Sequence, residues 1–244
     1  MINYDDAPYP VRDDLVAAHA RYWRQLSEPG TWWTAAERIM IAAEVRRAAD
    51  CSLCAQRKSA LSPHTVAGTH DSCGELPDPV VELVHGAVNY ASRLTKNWYA
   101  EITSDGLTAE QYVECLATVV FVISIDRFCH AIGVPLRELP SAIDGEPSRY
   151  RPDSAGPDEA WVPMLPLLNT DTPEADLWIA GKSGNVIRAL SLVPDEVRTL
   201  KYLSAAHYLE NHRVRDPTAC NGVLSRAQME LVAGRISALN GCYY

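Results

Sequence analysis

Wherever a segment of this chain is long enough to judge, its apolar residues recur at intervals of three and four, and no stretch alternates as a half-buried strand does. That period puts the apolar side chains on one face of a helix, so the sequence predicts an all-α fold. Predicted helices run from about Asp13 to Leu26, from Thr34 to about Ala49, and from near Cys51. Others run from about Val80 to Glu101, from Thr108 to about Ile132, from Pro194 to about His212, and from Leu224-Ser225 onward. Thr34 with Glu37 and Thr108 with Gln111 have capping-box spacing, while Pro29-Gly30 and Gly133-Val134-Pro135 are stops. Residues 62–79, with three prolines and two glycines, read as a loop. Residues 140–184, rich in proline, glycine, aspartate and serine, read as an irregular strap between a helical unit at 1–139 and a second, partial unit at 185–244.

Charge narrows the function classes. With 22 Lys+Arg against 31 Asp+Glu the net charge is −9, which disfavours nucleic acid and anionic membrane surfaces as partners. The most apolar stretch, Cys115 to Ile125, is closed by Asp126-Arg127 and is too short to cross a bilayer. Met1-Ile2-Asn3-Tyr4-Asp5-Asp6 lacks the basic start and apolar block of a signal peptide, so a cytoplasmic location is expected. Seven cysteines are too few for a disulfide scaffold and cannot all pair within one chain. Two have close spacing, in Cys51-Ser52-Leu53-Cys54.

Sliding the chain on itself by 191 residues superposes Thr34 on Ser225, Glu37 on Gln228, Ala42 on Ala233, Val45 on Ile236 and Cys51 on Cys242. Cap, core and cysteine coincide in one register, which points to two copies of one helical unit.

These residues resemble the carboxymuconolactone decarboxylase and alkylhydroperoxidase D (AhpD)-like superfamily, in particular its two-copy, peroxidase-related members. The resemblance is carried by Leu224-Ser225 through Glu230-Leu231-Val232-Ala233 to Asn240-Gly241-Cys242-Tyr243, and by Gly106-Leu107-Thr108 through Glu114. The family motif is a glutamate, a cysteine twelve residues on, a second cysteine three later, and a histidine four beyond that. Glu230 to Cys242 is the twelve-residue step, and Cys51 with Cys54 is the cysteine pair. Departures from the motif are equally plain: Ile39 stands where copy one needs the glutamate, Lys58 where it needs the histidine, and copy two reaches Tyr244 before a second cysteine. The resemblance implies a thiol-dependent oxidoreductase that reduces a peroxide or related electrophile through Cys51 and Cys54 at the expense of a thiol reductant. It implies no bound cofactor and no metal, and it implies a homo-oligomer, for which the apolar helix Val80 to Ala91 or the apolar helix Cys115 to Ile125 is the expected interface. The same fold in carboxymuconolactone decarboxylases performs lactone chemistry with a histidine and no cysteine pair, an alternative enzyme class.

The residues themselves suggest how an incomplete motif is filled. A thiol attacks as the thiolate, and a Cys-x-x-Cys at a helix start has the helix N-terminus to stabilise that anion and a neighbour to resolve the sulfenic acid. Glu37, Glu44 and Cys51 are spaced by seven and would share a face of a continuous helix, so Glu44 is a candidate for the missing glutamate and Glu37, which also has capping spacing, is a second catalytic candidate. His85 is the candidate proton shuttle. Glu230 and Cys242 would join Cys51 only in a composite site. A further alternative is a non-catalytic helical scaffold holding zinc through Cys51, Cys54, His64, His70 and Cys73, which lie within 23 residues.

Overall fold

The computed structural model describes residues 2–168, 171–178 and 181–242. Among them the chain is all-helical, with no strand and only isolated bridges, one of them between Gly156 and Met164 in the strap.

Helix α1 (Asp13–Leu26) opens on Asp13 and Asp14 and closes on Arg24, charges that suit its dipole, and it buries His19, Tyr22, Trp23 and Leu26 on one stripe. Helix α2 (Ala35–Ala48) starts at the expected capping box: Thr34 Oγ1 accepts the Glu37 N–H and Glu37 Oε2 accepts the Thr34 N–H at 2.8 Å. Helix α3 (Ser52–Ser59) follows after three residues, with Cys51 at its N-cap. The loop at 62–77 leads to α4 (Asp78–Tyr90), whose second residue is Pro79.

Here the structure departs from the long helix expected over Val80 to Glu101. The chain breaks after Tyr90, makes a single 3-10 turn (Ala91–Arg93), and restarts as α5 (Lys96–Ser104). Thr95 causes the restart, because its hydroxyl accepts the Trp98 N–H as an N-cap. Helix α6 (Ala109–Ala131) then follows the second capping box, Thr108 with Gln111, and ends before Gly133, where φ is +74°.

Beyond the strap come a short turn of helix, α7 (Asn185–Arg188), then α8 (Pro194–His207) and α9 (Arg226–Leu239). Helix α8 ends five residues earlier than expected. It does not pack as a separate second unit: Val197 and Leu203 on α8, with Leu192 and Val193 just before it, share one core with Tyr22, Ile41, Leu83 and Phe121, and α8 packs on α1 and α6. Helix α9 has the register that the repeat demands. Adding 191 to the bounds of α2 gives its bounds, and the Ser225–Gln228 capping box matches Thr34–Glu37, yet α9 has no buried residue whereas α2 is largely buried.

The centre of the molecule is the mutual packing of α2, α4 and α6, with α3 lying on α4. The helices expected to form a subunit interface spend their apolar faces there. Val80, Leu83 and Val84 of α4 and Val119, Phe121, Val122 and Ile125 of α6 are buried in the chain's own core, and Val120 is the large apolar residue that α6 exposes. Each such burial stabilises by about 1.5–3 kcal/mol. In the α2–α4 seam two polar side chains, Glu44 and His85, are also fully buried. Burying them is costly unless they are paired, and their pairing defines the site.

Candidate functional site

Glu44 lies on α2 one turn before its end, and His85 lies in the middle of α4. His85 Nε2 is 2.7 Å from Glu44 Oε1. The second carboxylate oxygen accepts the Cys73 N–H at 2.9 Å and the Ser72 hydroxyl at 3.2 Å, so the loop is pinned over the seam by the buried acid. Burial pushes the Glu44 carboxyl up, but the Cys73 N–H and His85 bonds outweigh it and hold it below the ordinary carboxylate range. As an anion Glu44 only accepts, so His85 carries its proton on Nε2 and turns the Nδ1 lone pair inward. That lone pair meets Cys54 Sγ at 3.3 Å.

A second imidazole is held the same way. His70, on the loop, sets Nε2 2.9 Å from Glu82 Oε2 and Nδ1 3.5 Å from both Cys51 Sγ and Cys54 Sγ. Glu82 lies one turn before His85 on α4 and is fixed by Arg57 Nη1, at 2.8 and 2.9 Å from its two oxygens, and by the Trp98 indole N–H at 3.0 Å. Burial opposes its charge, yet the His70, Arg57 and Trp98 bonds bring its carboxyl down to about 2. The break between α4 and α5 matters here, because α5 carries Trp98 back onto Glu82.

The two sulfurs differ. Cys51 caps α3 and accepts the Asp71 N–H at 3.4 Å, while the Asp71 carboxylate takes the Ser52 N–H at 2.7 Å. Burial raises the Cys51 thiol, but the Asp71 and Cys54 backbone N–H groups more than offset this, and it ends below its usual value. Cys54, one turn into the helix, is pushed up by burial and by the adjacent Cys51. Burial lowers His85, whereas in His70 the Glu82 bond outweighs burial and raises it.

The structure therefore gathers Cys51, Cys54, Glu44 and His85, together with His70. One donor atom from each of Cys51, Cys54, His70 and His85 lies within 4.8 Å of all the others, a set that can hold a metal ion. The expected zinc set is corrected by this geometry: His85 is a member, while exposed His64 rests on the Arg93 carbonyl and exposed Cys73 approaches the site through its backbone N–H. Glu37 is engaged in its capping box and stands outside the cluster. Glu230 is exposed on α9, bound to Arg226 and Tyr208, and Cys242 is exposed beyond the same helix, so neither joins Cys51. Glu114 works elsewhere: buried on α6, it accepts the Trp32 N–H at 2.6 Å and faces Arg38. Sequence reasoning missed Glu82, Arg57 and Trp98. The available signal was Glu82 three residues before His85, one helical turn on the same face.

Both cysteines are buried, and neither lines a surface hollow of about 650 Å³ bounded by His70, Ser72, Leu76, Val81, Glu82 and Ile102. His70 stands between that hollow and the sulfurs. A hollow of about 680 Å³ between α1 and the segment after α6 contains none of the cluster.

Compared with family models, with curated proteins and with solved structures, the chain finds no match.

Proposed function

We propose that the protein is a thiol-dependent oxidoreductase of the AhpD-like type, which reduces a peroxide through Cys51 and Cys54. One observation carries this reading: of two cysteines a helical turn apart, Cys54 meets a Glu44–His85 pair at 3.3 Å, a carboxylate–imidazole–thiol relay that can serve for the absent motif glutamate and histidine. Cys51 attacks. Its proton passes to His70 Nδ1, its sulfur bonds to one peroxide oxygen, the O–O bond breaks, and the departing alkoxide takes the proton back from His70 as an alcohol. The Cys51 sulfenic acid is then resolved by Cys54, whose proton goes to His85 Nδ1. The new S–S bond expels hydroxide, which leaves as water with the proton from His85. An external dithiol restores the pair, so each turnover consumes one peroxide and two reducing thiols.

Glu44 orients His85 and stabilises the imidazolium while it holds the proton, and Glu82 does the same for His70. Both acids are positioning residues, since neither touches a sulfur. The helix N-terminus and the Asp71 N–H support the anion on Cys51. The lactone alternative has less support, because the cluster's imidazoles face buried sulfurs. The test is peroxide consumption by the metal-stripped chain in the presence of a dithiol: the reading expects activity in the parent and its loss in both Cys51→Ser and Cys54→Ser. Equal activity in all three would refute it.

A further inference from the structure

We infer that Cys51, Cys54, His70 and His85 form a tetrahedral zinc site. Four features of the geometry lead there. First, the donor atoms converge. A zinc ion with about 2.3 Å bonds to sulfur and about 2.0–2.1 Å bonds to nitrogen requires sulfur-to-nitrogen edges of roughly 3.5 Å. Three such edges measure 3.3, 3.5 and 3.5 Å.

Second, both imidazoles present the correct nitrogen. His85 gives its Nε2 proton to Glu44 and His70 gives its own to Glu82, so both Nδ1 lone pairs point at the sulfurs. A carboxylate behind each histidine is the arrangement that fixes tautomer and ring orientation in zinc centres. Third, one of the two sulfurs has support from behind, since the Asp71 N–H points at Cys51 Sγ. Fourth, the donors come from three separate segments, the start of α3, the loop and α4, so a metal there would staple a loop that has little apolar packing of its own.

The donor chemistry selects the ion. Two thiolates and two imidazoles favour zinc over magnesium or calcium, which take oxygen ligands. Binding expels the two S–H protons, and the dication cancels the two thiolate charges in a buried setting. Zinc binding does not require peroxide turnover. It does share its sulfurs with the proposed function, so a Cys51–Cys54 disulfide and the metal exclude each other.

The test measures metal and redox chemistry separately on the full chain. Protein purified with a phosphine reductant is analysed for metal by plasma mass spectrometry, then stripped with a chelator and titrated with Co²⁺ and Zn²⁺. About one zinc per chain is expected, with a Co²⁺ spectrum showing thiolate-to-metal charge transfer and intense tetrahedral d–d bands. His70→Ala should abolish these bands, Glu82→Gln should weaken binding by about 10- to 100-fold, and His64→Ala should leave it unchanged. Should His70→Ala fail to fold, the parent Co²⁺ spectrum and the Glu82→Gln shift still decide the matter. A parent chain that returns no zinc and no tetrahedral Co²⁺ spectrum overturns the site, as does equal binding by His70→Ala. Peroxide consumption by the stripped chain is scored independently. Zinc without turnover upholds the metal and refutes the oxidoreductase, and turnover without zinc does the reverse.

Discussion

The Nε2–H of His85 donates to Glu44 Oε1 at 2.7 Å, joining two fully buried side chains 41 residues apart in sequence. That bond fixes which nitrogen faces Cys54. Glu44→Gln keeps the shape but replaces an acceptor-only anion with an amide that can also donate. Peroxide turnover by the stripped chain should fall by roughly 10- to 100-fold while the far-ultraviolet circular dichroism is retained. Unchanged turnover would remove Glu44 from the relay.

A second histidine cluster sets a pH dependence away from the site. Fully buried His19 on α1 accepts from Tyr4 OH through Nδ1 at 2.6 Å, so its Nε2–H faces His207 Nε2 on α8, also at 2.6 Å. Phe128 of α6 packs on the rings, and Arg12 lies close to His207. Burial, and then the neighbouring His207, bring His19 down to about 3. A folded value below the unfolded one means that its stabilisation is complete above about pH 6.5 and is lost as pH falls toward the folded value. Between pH 6.5 and 4.5 the parent should lose up to about 1.4 kcal/mol per pH unit more than His19→Gln does, read from urea unfolding at each pH. Parallel pH profiles would contradict this.

Gly30 tests the packing of the turn before α2. A Cβ there would overlap Glu114 Oε1, and Glu114 cannot simply swing away because it holds the Trp32 N–H and faces Arg38. Gly30→Ala should destabilise the chain by about 1–3 kcal/mol in urea unfolding. The same change at Gly234, where an added Cβ meets nothing within 4 Å, replaces glycine by a better helix former and should stabilise slightly or be neutral.

The core boundary in the C-terminal third is equally testable. Helix α9 has no buried residue, whereas Leu192, Val193 and Val197 belong to the main core. A chain ending at residue 221 should keep its unfolding free energy within about 0.5 kcal/mol. Val197→Ala should cost more, about 1–3 kcal/mol.

Local signals made much of this fold legible in the sequence. The bounds of α1 and the capping boxes at Thr34, Thr108 and Ser225 depend on residues three or four apart, and the structure has them as expected. The break after Tyr90 was hidden because apolar residues continue through it, and only the Thr95 hydroxyl marks the new start. The partners of α8 were unreadable, since an apolar stripe says that a helix is covered but not by what. At the site, Cys-x-x-Cys, Glu44 and His85 could be named from type and spacing. Uniting His70 with both sulfurs required the path of the loop, which Glu44, Ser52 and Cys51 fix through Asp71, Ser72 and Cys73.

Thiol titration with peptide mapping, on the reduced and metal-stripped chain before and after one equivalent of peroxide, tests the proposed chemistry most directly. Two thiols should disappear per peroxide consumed, and the product should be a Cys51–Cys54 disulfide that neither Cys51→Ser nor Cys54→Ser can form. Both thiols surviving the peroxide, or an oxidised product confined to Cys73, Cys220 or Cys242, would contradict a redox pair at Cys51 and Cys54.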